Sequence, residues 1–321
     1  MLPNRRPHLQ TRKSEGDTVR CSTVILSVLM MALSACAAEQ HSATGMVLKV
    51  DPARNSFTAS CQEIPGYMAA MTMPFEVRQR KELDGLVPGA IVEFVLVVDG
   101  RTSYAEHVKI RPYISAEQDP RAARQLKLLA SLSKIGKAPH QPVATGSAVP
   151  NFTLIDQAHQ RISLAQFAGK VVALNFIYTS CALPDFCYRI ANNFGVLQRR
   201  FRASLGRDLV LLTVTFDPQR DTPEVLAKYA QTWNADPKTW HFLTGPADDV
   251  RRVTNLFGMD FFPDEGLMNH SLHTAVIDRQ GTLVANIEGN QFTVDQLAEL
   301  VKTVLAGPAV PAHPILGKPN L

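Results

Sequence analysis

The chain has 321 residues, enough for about two domains, and 45% of them are hydrophobic, ample for real cores. Its formal net charge is +4, and part of the basic excess sits in the first twenty residues, at Arg5, Arg6, Arg12, Lys13 and Arg20. No Lys/Arg stripe is interleaved with aromatic residues, which argues against a nucleic-acid partner.

From the N-terminus, residues 24–33 form an apolar run too short to span a bilayer but suited to a signal-peptide core. It ends in Leu33-Ser34-Ala35-Cys36, which resembles a bacterial lipobox, in which the cysteine is acylated and becomes the mature N-terminus. Residues 1–36 are therefore read as a lipoprotein-type signal peptide, against the alternative of an ordinary signal with a chance cysteine. The mature protein is expected in the bacterial cell envelope, on the periplasmic face, held to a membrane by lipid on Cys36. Export leaves Cys61, Cys181 and Cys187 in an oxidising compartment, one more thiol than a single disulfide uses.

Residues 41–113 read as short strands at 44–50, 56–60, 74–77, 90–98 and 105–111, separated by Asp51-Pro52, Pro88-Gly89 and Asp99-Gly100. Five short strands without a long helix predict a small all-β, OB-like barrel. Residues 114–146 form a linker, helical over 115–135 and then a joint bearing proline and glycine.

Residues 147–307 alternate strand and helix, which predicts an α/β sheet covered by helices. The strands are expected at 171–177, 209–215, 241–243, 274–277 and 282–287, and the helices at 188–205, 223–233, 247–257 and 293–305. Asp221-Thr222-Pro223 supplies a helix start, with Asp221 as the capping candidate. The last stretch, 308–321, carries proline without periodicity and is expected to be a flexible tail.

Cys181 and Cys187 follow the apolar run 171–177, and His270 stands just before a later strand. Two soft thiolates and an imidazole suit copper, and the same thiols can close to a disulfide. The first cysteine lies where a strand ends and a helix begins, a position that favours thiolate. A stapling disulfide without further function is the bland alternative. His273 is a rival to His270, three residues away.

This part of the chain resembles the Sco/SenC family of thioredoxin-like proteins, which handle copper in cytochrome c oxidase assembly. The resemblance rests on Pro150-x-Phe152-x-Leu154-x-Asp156, Phe176-Ile-Tyr-Thr-Ser-Cys181, Cys187, the run from Thr215 through Asp217 to Asp221-Thr-Pro223, and His270-x7-Asp278-x2-Gly281. It implies that Cys181, Cys187 and His270 bind one copper ion, as Cu(I) or Cu(II), with the cysteines also a redox pair. It selects His270 over His273 and brings Asp217 near the metal, either orienting His270 or tuning the loop, against a turn-forming role. Two departures stand out: five residues separate the cysteines where the family usually has three, and Ala182 and Tyr188 replace flanking prolines. Leu272 stands where thioredoxin-like reductases carry a cis-proline, which favours a metal role.

Residues 44–110 resemble the CusF-like copper-binding barrel through the run Met71-Thr-Met73-x-Phe75. The resemblance implies a second Cu(I) site of Cys61, Met71 and Met73, with Met68 as cap or fourth ligand. Cys61 takes the family's histidine position and Met68 its tryptophan position, and a core-packing role for the methionines is the alternative.

Together these features predict a membrane-tethered periplasmic copper chaperone. It would act on a cytochrome c oxidase copper-centre subunit or another apo-cuproprotein. A thiol–disulfide oxidoreductase acting on oxidase-subunit cysteines is the alternative, and a copper sensor or buffer a third reading.

Overall fold

The computed structural model describes residues 38–113, 141–181, 184–264 and 267–307. The expectations for Cys36, the helix at 115–135 and the 308–321 tail fall outside these residues.

The N-terminal body is one antiparallel sheet of β1 (Glu39–Asp51), β2 (Ser56–Cys61), β3 (Met71–Glu76), β4 (Ile91–Asp99) and β5 (Thr102–Ile110). Its order is β3-β2-β1-β4-β5. The inward face carries Ala43, Val47, Phe57, Phe75, Val92 and Phe94, and a 3-10 turn at Arg80–Leu83 adds Leu83. The three phenylalanines pack as a stacked and edge-on cluster, with ring centroids 4.8–5.6 Å apart. The edge strands β3 and β5 are tied by a single bridge from Val77 to Ala105 beside β3. The expected barrel is thus an open sheet wrapped around its core rather than a ladder closed on itself.

The C-terminal body is a seven-stranded mixed sheet ordered β14-β13-β8-β9-β10-β6-β7. Its strands are β6 (Thr153–Asp156), β7 (Arg161–Ser163), β8 (Val171–Ile177), β9 (Leu209–Thr215), β10 (Trp240–Thr244), β13 (His273–Ile277) and β14 (Leu283–Glu288). β8, β9 and β10 run parallel, and β13 pairs antiparallel with β8. A small hairpin of β11 (Phe261–Asp264) and β12 (Leu267–His270) stands apart from this sheet.

Four helices cover the sheet: α1 (Arg189–Arg200), α2 (Pro223–Thr232), α3 (Ala247–Leu256) and α4 (Val294–Leu305). β8 and β9 are buried along their whole length because helices lie on both faces. Val172, Leu174 and Phe176 face α3, whereas Val171 and Ala173 face the side of α1 and α4. This is the thioredoxin-like arrangement that the resemblance implies. α1 starts one residue later than expected and ends at Arg200, because the chain turns after Leu197 with Phe201 as the cap. β6, β7 and the β11–β12 hairpin had no strand reading; they are three or four residues long, too short for period-2 alternation to register.

The two bodies share a core. Met46 and Leu48, on the outward face of β1, pack with Ala285, Ile287, Leu297, Leu300 and Val301. Gln296, buried in the first turn of α4, donates its side-chain N–H to the Ser60 carbonyl at 3.0 Å. Gly89 has φ +88°, and a Cβ there would lie 2.9 Å from Ile287 Cγ1 and 3.0 Å from Ala285 Cβ. Gly89→Ala is expected to cost about 1–3 kcal/mol through backbone strain and overpacking. The check is the thermal midpoint; an unchanged midpoint would contradict this close approach.

Candidate metal centre

β8 ends at Ile177, and the chain turns through Tyr178, Thr179 and Ser180 to Cys181. A single π-type turn at Pro184–Tyr188, kinked at Phe186 (φ −110°, ψ −107°), then leads into α1. Cys187, inside this turn, is buried to 1% exposure in the cluster of Ile177, Tyr178, Phe216 and Met259, while Cys181 stays half-buried. Neither cysteine is in a disulfide.

The loop before Cys181 is pinned from below by Asp221. This fully buried carboxylate accepts hydrogen bonds from Thr179 N at 3.1 Å and from the hydroxyls of Thr179 and Thr215. The helix-cap reading of Asp221 is therefore corrected: Thr222 caps α2, with Pro223 in its first turn. Burial holds the Asp221 carboxyl above its ordinary range, the three hydrogen bonds oppose that, and Asp217 reinforces it.

His270 is the last residue of β12, paired with Phe261 across the hairpin. Its ring lies 4.8 Å from Phe216 and 5.6 Å from Tyr178, edge-on to the latter. Nδ1 is 2.9 Å from the Ser271 carbonyl oxygen. A carbonyl only accepts, so Nδ1 carries the proton and Nε2 keeps a free lone pair. One donor atom from each of Cys181, Cys187 and His270 lies within 4.8 Å of the other two. Metal–sulfur and metal–nitrogen bonds of about 2.0–2.3 Å hold donors about 3.5–4.5 Å apart, so little contraction is needed to close on one ion. Copper fits this set of two soft thiolates and one imidazole, with Cys181 as its way in.

The rival His273 is built into β13 instead. It is buried, its Nδ1 lies 3.1 Å from Asn286 Oδ1, and burial lowers its pKa. Leu272, between them, is buried against Phe186, Ile190 and Cys181. Asp217 lies at the end of β9, its backbone carbonyl accepting from Arg220 N and Asp221 N and its carboxylate 3.5 Å from Arg220. Its carbonyl is the hub of a turn, and His270 Nδ1 is held by the Ser271 carbonyl.

In the N-terminal sheet, Cys61 pairs across the strands with Met71, and Ala59 with Met73. The three sulfur residues therefore share one face, as period-2 alternation requires. Cys61 is buried and Met71 is about half exposed, while Met73 and Met68 pack partly buried against the core. Gly45 faces Cys61; a Cβ there would come 3.1 Å from its sulfur. Burial pushes the Cys61 thiol up to about 12, so it keeps its proton at neutral pH. Cys61 and Met71 line a cleft of about 870 Å³ closed on its other side by α4.

Two expectations follow from this geometry. Asp221→Asn leaves part of its donor set without an acceptor and should cost about 1–3 kcal/mol, read as a lower denaturation midpoint. A neutral alkylating reagent at neutral pH should modify Cys181 first among Cys61, Cys181 and Cys187, with the other two following only on unfolding. Mass spectrometry of the adducts decides this, and rapid labelling of Cys61 in the folded protein would contradict the burial described.

Comparison with known proteins places these features in a family. A family model described as SCO1/SenC matches residues 141–306, and one described as copper binding periplasmic protein CusF matches residues 40–110. A putative copper-binding protein of Stutzerimonas stutzeri is 29% identical over 163 residues, covering 49% of this chain and 77% of that protein. A SCO2-like protein of Rickettsia typhi is 30% identical over 141 residues, covering 41% of this chain and 66% of its own length. The structure of Arabidopsis thaliana ScoI with copper bound has a TM-score of 0.43 and 24% identity, over 49% of this chain and 98% of that one. The SCO1/SenC match takes in more than half of the residues, and the chain belongs to that family, preceded by a CusF-like segment.

Proposed function

We propose that this protein is a copper chaperone tethered at the periplasmic face of a bacterial envelope membrane. It carries copper on Cys181, Cys187 and His270 and hands it on for assembly of a cytochrome c oxidase copper centre. The observation that carries this reading is the meeting of two cysteine sulfurs outside any disulfide and one imidazole within 4.8 Å, with the ring's Nδ1 held by a backbone carbonyl. Three donors leave a coordination position open, and the half-buried Cys181 stands on the accessible side. An acceptor can therefore add its own ligand before these let go, as a delivery site requires. The acceptor is an oxidase copper-centre subunit or another apo-cuproprotein, and the tether is lipid on Cys36. Support for copper comes from the donor chemistry and from the CusF-like segment.

In this reading residues 41–113 form a second copper-handling domain and residues 147–307 the delivery domain. Cys61, Met71 and Met73 hold Cu(I) on one face of the N-terminal sheet, with Met68 as cap. Loading that site displaces the Cys61 proton, so its affinity rises with pH.

A second reading, thiol–disulfide oxidoreductase, is favoured by the same cysteine pair standing outside a disulfide. The half-buried Cys181 would attack and the buried Cys187 would resolve.

Copper titration of the reduced protein, followed by spectra that assign sulfur and nitrogen ligands, tests the main reading. His270→Ala should weaken copper binding at this site by more than the roughly 10–100-fold of an outer-shell change and remove the nitrogen signature. Cys61→Ser should halve the copper stoichiometry, and an unchanged stoichiometry removes the N-terminal site. Transfer of copper to an apo-acceptor separates a chaperone from a sensor or buffer. Reduction of a client disulfide without copper favours the second reading.

A further inference from the structure

Tyr178 follows the last residue of β8 and is 3% exposed, an unusual place for a phenol in a strand-end loop. Its ring packs 5.2 Å from Phe216 and meets His270 edge-on at 5.6 Å. Its hydroxyl hydrogen-bonds with the side chain of Cys181 and with the backbone of Met268. With its oxygen taken by the Met268 N–H, the phenol O–H donates to the sulfur. The Met268 N–H donates to the phenol oxygen.

The second bond follows from the hairpin's register. Pro263 pairs with Met268 and has no N–H to give the ladder, so this is a non-hydrogen-bonded pair. Alternation of the ladder then turns the Met268 N–H outward, away from Pro263. Met268 and His270 lie two residues apart on the same face of β12. The hydroxyl thus touches both halves of the centre, the loop of the first sulfur and the strand of the imidazole.

We propose that the Tyr178 hydroxyl is a positioning group that holds the Cys181 sulfur and ties it to the β11–β12 hairpin carrying His270. The inference deepens the reading of Cys181, Cys187 and His270 as a copper site and rests on it for its consequence at the metal. Of the two sulfurs, only that of Cys187 is fixed by complete burial, so the first depends on such a tether. A hydrogen bond to a thiolate also withdraws electron density from the sulfur, which tunes the potential of a bound copper.

Tyr178→Phe keeps the ring and removes only the hydroxyl, whereas Tyr178→Leu removes both. The first readout needs no metal: the Cys181–Cys187 equilibrium in a glutathione buffer. There the two thiols give two electrons and two protons to one oxidised glutathione, forming the protein disulfide and two reduced glutathiones. Loss of a donor to the reduced sulfur should shift this equilibrium in Tyr178→Phe on the order of tenfold toward the disulfide. The second readout is the sulfur-to-Cu(II) charge-transfer band, which should move to lower energy in Tyr178→Phe at unchanged stoichiometry.

A Tyr178→Phe equilibrium that coincides with wild type overturns the proposal, and impairment of Tyr178→Leu alone would then assign the residue to packing. If wild type binds neither Cu(I) nor Cu(II) at this site, the copper reading fails, and the metal-free equilibrium still decides the role of Tyr178.

Discussion

The metal centre hangs on one buried carboxylate. Asp221 has no solvent exposure, and burying such a group without partners costs several kcal/mol. Its partners are one N–H and two hydroxyls, from the loop after β8 and from the end of β9. These bonds hold the two strand ends together and fix Thr179 two residues before Cys181. The position of the second sulfur has a different origin, the π-type turn that carries Cys187 into the apolar cluster with Tyr178 and Phe216. The candidate site is therefore assembled from two constraints, a polar clamp and an apolar burial, and the hairpin brings the imidazole to it.

The contrast between His270 and His273 shows how three residues of spacing change a histidine's role. His273 belongs to the central sheet, where the Asn286 side chain meets its ring and burial favours the neutral form. His270 belongs to a two-stranded arm outside the sheet, its Nδ1 held by the Ser271 carbonyl. A side chain carried on such an arm can shift without breaking a ladder of the main sheet.

The N-terminal sheet is joined to the rest by more than its linker. Met46 and Leu48 sit in the same apolar cluster as α4, and Gln296 of that helix bonds to Ser60, next to Cys61. α4 thus serves both bodies: its apolar stripe covers the seven-stranded sheet, and its first turn borders the cleft at Cys61 and Met71. The face that carries the sulfurs of β2 and β3 is held at a set distance from the C-terminal body, and the covalent linker need not define it.

The order of elements, the buried parallel strands and the candidate trio Cys181, Cys187 and His270, which the fold brings together, were legible in the linear chain. Continuous apolar runs mark strands covered on both faces, and the motif around the cysteines marks the end of β8. Proline after a threonine marked the start of α2. The shared face of Met71 and Met73 followed from alternation, and Cys61 joined them through the CusF-like resemblance. Other features needed three dimensions. Asp221 looked like a cap because a capping residue and a strand clamp have the same local spelling; only the approach of Thr179, 42 residues earlier, separates them. The role of Tyr178 depends on a hairpin 90 residues away, and the openness of the N-terminal sheet depends on how two edge strands meet. Local patterns report which face of an element is apolar, because that is written every two to four residues. Contacts between distant polar groups leave no such period, so the folded chain alone decides them.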